Sequence, residues 1–427
     1  MPKVRAYGAD STLKACRETT YGVAPLSDYR SLDFKSCDLS AEQPLGDDPL
    51  LGRGRNAQDP YRGLIADEGN VDIPLDVRGT GWWLTGLFGV PTTGAAVKAT
   101  GSIAFSAQPG ANSTITLNDV TWTLVSGSPT GNQTQIGVSL DATLTALAAD
   151  LNASADVEIA KCTYTADTAN DQLDIEFDTA GATGNAWTLA ASAASNGTPS
   201  AAKLTGGGVP HVWESGSDSI PSHTLEIGHP KLVTPVFFRH TGVIFESLNF
   251  EMGLEGPANG RVALVAQGET SYATTIDDTP DRYTLQRFTQ GRGTIKKAGA
   301  QLAGVTAGTL TFSNTLERVR TIRPDGKIDA ADPTIATCTG QMTVRFDGTT
   351  LVAEASSGDP INIEYGFLTP QGYALKFELF RVFLPQPKRS IAGPGGVSAQ
   401  YDWRGAYEEG EDTMLRVTML NDVASYA

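Results

Sequence analysis

Positive charge is in short supply. Thirty-two Lys and Arg stand against 48 Asp and Glu, a formal net charge of −16. Such a chain repels a polyanion, because duplex binding is built on Lys and Arg neutralising phosphates. Cysteine is equally sparse: Cys16, Cys37, Cys162 and Cys338 are scattered and form no CxxC pair. That spacing argues against a disulfide framework or a zinc site and fits packed thiols in a reducing cytoplasm. No apolar run is long enough to cross a membrane, and the first residues lack the apolar core of a signal peptide.

The patterns of catalysis are also missing. His211, His223, His229 and His240 cluster in sequence, but their spacing is not HExxH or any paired Cys/His motif. With Pro210 and Pro230 beside two of them, they read as loop or interface residues. Gly291-Arg292-Gly293-Thr294-Ile295-Lys296-Lys297 is glycine-rich and basic but lacks the P-loop order, and no GxSxG occurs. The carboxylate pairs Asp277-Asp278 and Glu408-Glu409 are adjacent, which on a strand sends them to opposite faces. They read as solvated charge, not as a glycosidase pair. The expectation is therefore no enzyme, with no catalytic, cofactor-binding or metal-binding residue and no cofactor.

What is abundant is the material of β-structure. The chain has 46 Gly, 23 Pro and 40% hydrophobic residues, a turn-rich composition with enough apolar side chain for real cores. Its 427 residues suggest two or three compact units. Residues 29–69 read as one long loop, dense in Pro, Gly and Asp, with Leu45, Leu50, Leu51, Tyr61, Leu64 and Ile65 as apolar anchors. A loop of that length is normally functional or held by a partner. Val71, Ile73, Leu75 and Val77 then alternate as a half-buried strand does. In Gly81-Trp82-Trp83-Leu84-Thr85-Gly86-Leu87-Phe88-Gly89 the apolar residues have helical spacing. The spacing predicts a short helix packed on a sheet, with the paired Trp serving that packing and not sugar stacking.

Residues 97–208 differ in character. Their basic residues are Lys98, Lys161 and Lys203, against ten acids, so seven of the sixteen excess negative charges fall here. Residues 113–126 alternate around Asn118-Asp119, a hairpin signal. Leu140, Leu144, Leu147 and Leu151 line one face of a helix over 141–152. Short strands are expected at 162–167, 173–177 and 187–189. Thr92-Thr93-Gly94-Ala95-Ala96 and Thr205-Gly206-Gly207-Gly208 bracket the segment and read as flexible joints. The organisation expected is 1–94 and 209–427 as one β body, with 95–208 inserted as a small α+β domain. The second half of the body reads as all-β. Strands at 242–252 and 260–266 are matched by a weakly similar pair at 304–314 and 340–346, with others at 375–384, 397–403 and 414–420.

Several of these stretches, in this order, resemble the major tail tube protein family of long-tailed, siphovirus-type bacteriophages. They are Glu18-Thr19-Thr20-Tyr21-Gly22-Val23-Ala24-Pro25, the loop at Glu42-Gln43-Pro44-Leu45, and the strand-and-helix unit from Asp72 to Gly89. The 247–256 segment, Ser313-Asn314 and the ending Tyr401-Asp402-Trp403-Arg404 … Leu415-Arg416-Val417-Thr418-Met419-Leu420-Asn421-Asp422 complete the set. The inserted segment resembles a separate phage structural module through Ile115-Thr116-Leu117-Asn118-Asp119-Val120-Thr121-Trp122-Thr123 and Gly131-Asn132-Gln133-Thr134-Gln135-Ile136.

The resemblance implies a mainly β fold, a tail-tube-type antiparallel β-sandwich or barrel with a short helix. It implies a virion protein assembled in the host cytoplasm into stacked, six-subunit rings. Its neighbours would be the tape measure and tail-end proteins, and genomic DNA would pass through the lumen without specific binding. Loop 29–69 would then clamp ring to ring, and the insert would decorate the outside. The competing expectation is a distal-tail or adhesin-type protein whose insert binds host-surface glycans on Trp122, Trp187 and Tyr164. A tail-associated glycan hydrolase finds little support in the residues.

Overall fold

The computed structural model describes residues 4–346, 348, 350–387, 389–390 and 396–426. Two antiparallel sheets pack face to face. The first runs Ala66–Pro74, Asn259–Ala266, the second half of Val236–Met252, Val305–Ser313, Thr337–Arg345 and Ser398–Gly405. The second runs Gly293–Lys297, Ile361–Leu368, Ala374–Phe383, Leu415–Asn421, Val209–Glu214 and Thr92–Thr93. A corner, where Val382 and Phe383 pair with Gly405 and Arg404, joins them. The mainly β, sandwich-type expectation holds.

Strict alternation explains this arrangement. Along Ser398–Gly405 every second residue is buried and the others are exposed, and Leu415–Asn421 alternates likewise. The inward residues of the two sheets meet as aromatic pairs. Phe250 lies 4.7 Å from Phe377 between ring centroids, and Trp403 donates its indole N–H to the Tyr365 hydroxyl at 2.9 Å. Full burial of each such side chain contributes roughly 2–3 kcal/mol.

The strand Val236–Met252 serves two layers. Its second half lies in the first sheet, while its first half pairs with His223–His229 and Gly268–Tyr272 in a smaller layer that also takes in Thr12–Arg17. The bend falls at Gly242, which has φ 62° and lies so close to the Tyr21 ring that a Cβ would come within 2.9 Å of it. All four histidines sit in strands, correcting the loop reading. A proline beside a histidine marked a strand margin instead: Pro210 is within Val209–Glu214, and Pro230 follows the last residue of His223–His229.

The first helix, α1 (Gly79–Phe88), begins two residues before the apolar pattern does. The reason is Asp76, whose carboxylate accepts the N–H groups of Arg78 at 2.8 Å and Gly79 at 2.7 Å. The helix ends at Gly89, with φ 90°. Phe88 stacks on Phe312 at 4.4 Å, and both Trp82 and Trp83 pack on Phe245, so the tryptophans are packing residues as the spacing predicted.

Residues between the two glycine-rich joints bury a cluster of their own, sharing no member with the core of the sandwich. One four-stranded sheet holds Gln133–Gln135, Val120–Val125, Ser113–Leu117 and Leu189–Ala191; another holds Cys162–Asp167, Gln172–Phe177, Thr100–Phe105 and Gly197–Pro199. The hairpin turn at Asn118-Asp119 has φ 44° and 67°, the left-handed pair that a two-residue turn requires. Helix α2 (Leu140–Asn152) buries Leu144, Leu147 and Leu151, and Ser139 Oγ caps it by accepting the Ala142 N–H at 3.2 Å.

The joints are not flexible spacers. They form a two-stranded ladder: Gly94 N–H donates to Pro210 at 2.9 Å, Val97 and Gly208 exchange bonds of 2.8 and 3.2 Å, and Thr100 and Thr205 exchange two of 2.9 Å. Glycine is there for close approach, since a Cβ on Gly208 would lie 2.5 Å from the Asn421 carbonyl oxygen.

Residues 29–69 also carry more structure than the expected loop. Tyr29, Leu32 and Leu39 are buried anchors. Ser36–Cys37 and Ser40–Glu42 pair with Ala66–Pro74, which begins five residues before the alternation at Val71 signals a strand. The longest stretch without a regular element is 47–60.

Candidate assembly surfaces

The first sheet buries one face and leaves the other uncovered. Ser247, Asn249, Thr309, Thr311, Thr339, Gln341, Thr343 and Gln400 alternate with the core residues of their strands and stand on that outer face. It is a mainly small-polar surface that also carries Glu251, Asp402 and Arg404. Some of its charge is held in pairs: Arg261 grips Asp72 at 2.7 Å, and Gln341 donates to Asp402 at 2.7 Å. At one end of the sheet lie Asp67, Ala266 and Ser313; at the other lie Pro74, Met252 and Val305.

A β-ribbon leaves the first of these ends. Ser40–Glu42 pairs with Ala66–Glu68, Gly63 N–H donates to Pro44, and Leu45–Gly46 pairs with Tyr61–Arg62. The ribbon carries its apolar side chains into solvent. Leu45, Leu50, Leu51, Tyr61 and Leu64 are all exposed, Leu51 completely. Monomers do not gain by exposing a run of leucines, so such a surface marks a contact made on assembly.

The ribbon's root, in contrast, is held by buried and half-buried polar groups that meet only in the folded chain. Asp67 places both carboxylate oxygens 3.0 Å from His240 Nδ1, with both side chains fully buried. Ala41 N–H donates to Glu269 at 3.2 Å, and Arg318 bridges Glu68 and Glu246 at 3.0 Å each. Glu18 does the same for the adjoining layer. Its buried carboxylate accepts from Gly22 N–H, Ser222 Oγ, Thr224 Oγ1 and Gly242 N–H at 2.7–2.8 Å. These partners are roughly 170 to 250 residues apart in most cases, so no local motif announces them.

The residues weighed for chemistry are dispersed. His211 donates from Nε2 to the Val423 carbonyl at 2.9 Å and meets the Thr93 hydroxyl through Nδ1 at 3.0 Å, and His223 stacks on Phe245 at 4.7 Å. Burial pushes the His223 imidazole down to about 3. Among the described residues no three His, Cys, Asp or Glu side chains converge to hold a metal ion, and no helix is long and apolar enough to cross a membrane. The four cysteines are unpaired, with burial pushing the Cys162 thiol up to about 12. Asp277 and Asp278 part company, Asp277 accepting the Tyr29 and Thr279 N–H groups. Gly293–Lys297 is an ordinary strand. Trp122, Trp187 and Tyr164, which a glycan-binding insert would have to expose, are all buried, and Trp122 donates its N–H to Thr134 at 3.0 Å. They form a core and offer no stacking surface.

Compared with curated proteins, the chain gave no match. The family described as phage tail tube protein matches residues 8–405, which take in the first sheet, every strand of the second except Leu415–Asn421, the ribbon and the segment between the joints. With its uncovered sheet face, its apolar ribbon and a match over most of its length, the chain belongs to the phage tail tube protein family.

Proposed function

We propose that this chain is the structural subunit of a siphovirus-type tail tube. Six copies close into a ring, and rings stack into the channel that delivers genomic double-stranded DNA. The observation that carries this reading is the first sheet, built with one apolar face inside the sandwich and one broad small-polar face left uncovered. A wall along which a polyanion slides must be wet and must not offer a comb of free cations. Threonine, serine, asparagine and glutamine on alternate positions supply that, and the nine excess negative charges outside residues 97–208 reinforce it.

Closing such a sheet across subunits removes its exposed edges, and a head-to-tail contact between rings extends without limit. The ribbon over 43–65 supplies the ring-to-ring clamp. Residues 95–208 act as a separate inserted domain on the outside of the tube. In support, their ladder continues the strands Thr92–Thr93 and Val209–Glu214 of the second sheet, which lies behind the first. The tape measure protein would occupy the same lumen before DNA does, with tail-end proteins capping the stack, all assembled in the host cytoplasm.

Negative-stain electron microscopy of the purified chain tests the reading. Hollow filaments or six-fold rings with a central channel are the expected result. Monomers or trimers at all concentrations, with or without glycan affinity, would overturn it.

A further inference from the structure

The end of the first sheet opposite the ribbon carries a groove. It is a cavity of about 270 Å³ between the 252–254 turn, the 290–295 segment and the 301–307 connection, and its apolar lining includes Met252, Leu254, Ile295, Leu302 and Val305. Leu254, on its rim, is 73% exposed. Glu255 follows that leucine and Glu251 stands three residues before it, on the outer face with Asn249; both are exposed and make no ion pair among the described residues. The ribbon presents the complementary set. Leu50 and Leu51 are followed by Gly52-Arg53-Gly54-Arg55, in which both arginines are exposed and likewise without an ion pair among the described residues.

Position matters as much as composition. The strands between the two ends span eight or nine residues, on the order of 30 Å at the strand rise. The ribbon therefore leaves one end of the sheet while the groove opens at the other. No fold of a single chain brings them together. A second copy displaced along the strand direction would do so, and would leave its own ribbon free for a third. Such a contact is heterologous and does not close.

Resting on the tube reading above, we propose that the groove lined by Met252, Leu254, Ile295, Leu302 and Val305 is the receptor for the Leu50–Leu51 tip of the next copy's ribbon. Arg53 and Arg55 of that ribbon pair with Glu251 and Glu255, at either end of the 252–254 turn that borders it. The leucines supply the burial and the charges set the register. All four charged residues are exposed, so reversing them leaves the fold intact.

The test is a charge swap in the full chain, read by electron microscopy and size-exclusion chromatography. Arg53→Glu with Arg55→Glu should lower the filament yield at least tenfold, as should Glu251→Arg with Glu255→Arg. The four-fold variant should recover filaments. In parallel, a Leu51→Cys, Leu254→Cys chain should give, on oxidation of its filaments, a ladder of covalent multimers absent from either single variant. Filaments unaffected by either reversal, no recovery in the four-fold variant, or filaments that give no ladder would overturn the groove assignment while leaving the tube reading standing. A parent chain that forms neither rings nor filaments would overturn both.

Discussion

Asp76 is bound where its charge is costly. The carboxyl caps α1, yet it is 5% exposed, and burial pushes it up to about 6 despite the two N–H groups it accepts. Its folded value lies above the ordinary one, so its contribution to stability is complete below pH 3.8 and is lost as pH rises through about 6. The loss above that pH is about 3 kcal/mol, from roughly two pH units at ~1.4 kcal/mol each. Asp76→Asn keeps an acceptor oxygen for the helix and carries no charge. Relative to the parent chain it should gain about 3 kcal/mol between pH 3.5 and pH 7.5. Urea unfolding at both pH values measures this, and parallel profiles would refute it. Gly86 makes a second residue-level case. A Cβ there would sit 2.2 Å from the Phe245 ring, which is fully buried against Trp82, Trp83 and His223 and has nowhere to go. Gly86→Ala should therefore destabilise by about 1–3 kcal/mol, although alanine is the better helix former. A melting temperature equal to or above that of the parent would count against this packing.

At the scale of elements, the ribbon divides into an anchored root and a free tip. None of residues 47–60 is buried, and among the described residues their side chains make one hydrogen bond, from Gln58 to the Leu50 carbonyl. Replacing 47–60 by a short glycine turn should thus change folding stability by less than about 0.5 kcal/mol. The same deletion should abolish filaments, because it removes the clamp. Unchanged filaments, or a chain that no longer folds, would each be incompatible with this division. The sequence showed such elements unevenly. Strong alternation located the strands at 242–252 and 397–403, the leucine period located α2, and Asn118-Asp119 located its hairpin. The root of the ribbon stayed hidden because Asp67, Glu68, Glu269 and Arg318 look like ordinary surface charge until folding pairs them. The bond from Asp67 to His240 joins residues 173 positions apart. The ladder at the joints was hidden for a related reason. Glycine and threonine signal flexibility by composition, whereas here glycine's lack of a side chain admits the Asn421 carbonyl and fixes the crossing.

For the whole molecule, the question is whether the segment between the joints is needed by the tube or only carried on it. Its hydrophobic cluster is separate, and its ladder enters and leaves through neighbouring strands of the second sheet. Beyond the ladder, the body is met through few groups, among them the Gly206 N–H donating to Gln371 at 3.0 Å and Ala182 packing on the main core. Cutting the chain at 95 and 208 and closing the gap with a two-residue turn would keep Thr92–Thr93 paired with Val209–Glu214. Additivity of separate cores then predicts a body whose stability falls by no more than about 1–2 kcal/mol. The shortened chain also loses seven of the sixteen excess negative charges, which lie on the outside if the reading is right. Image reconstruction of its filaments should show the same channel width, the same rise between rings and a smaller outer diameter. If instead the channel widens or the filaments disappear while the body remains folded, the segment belongs to the wall or to the ring contact. The uncovered face of the first sheet would then need another partner than DNA.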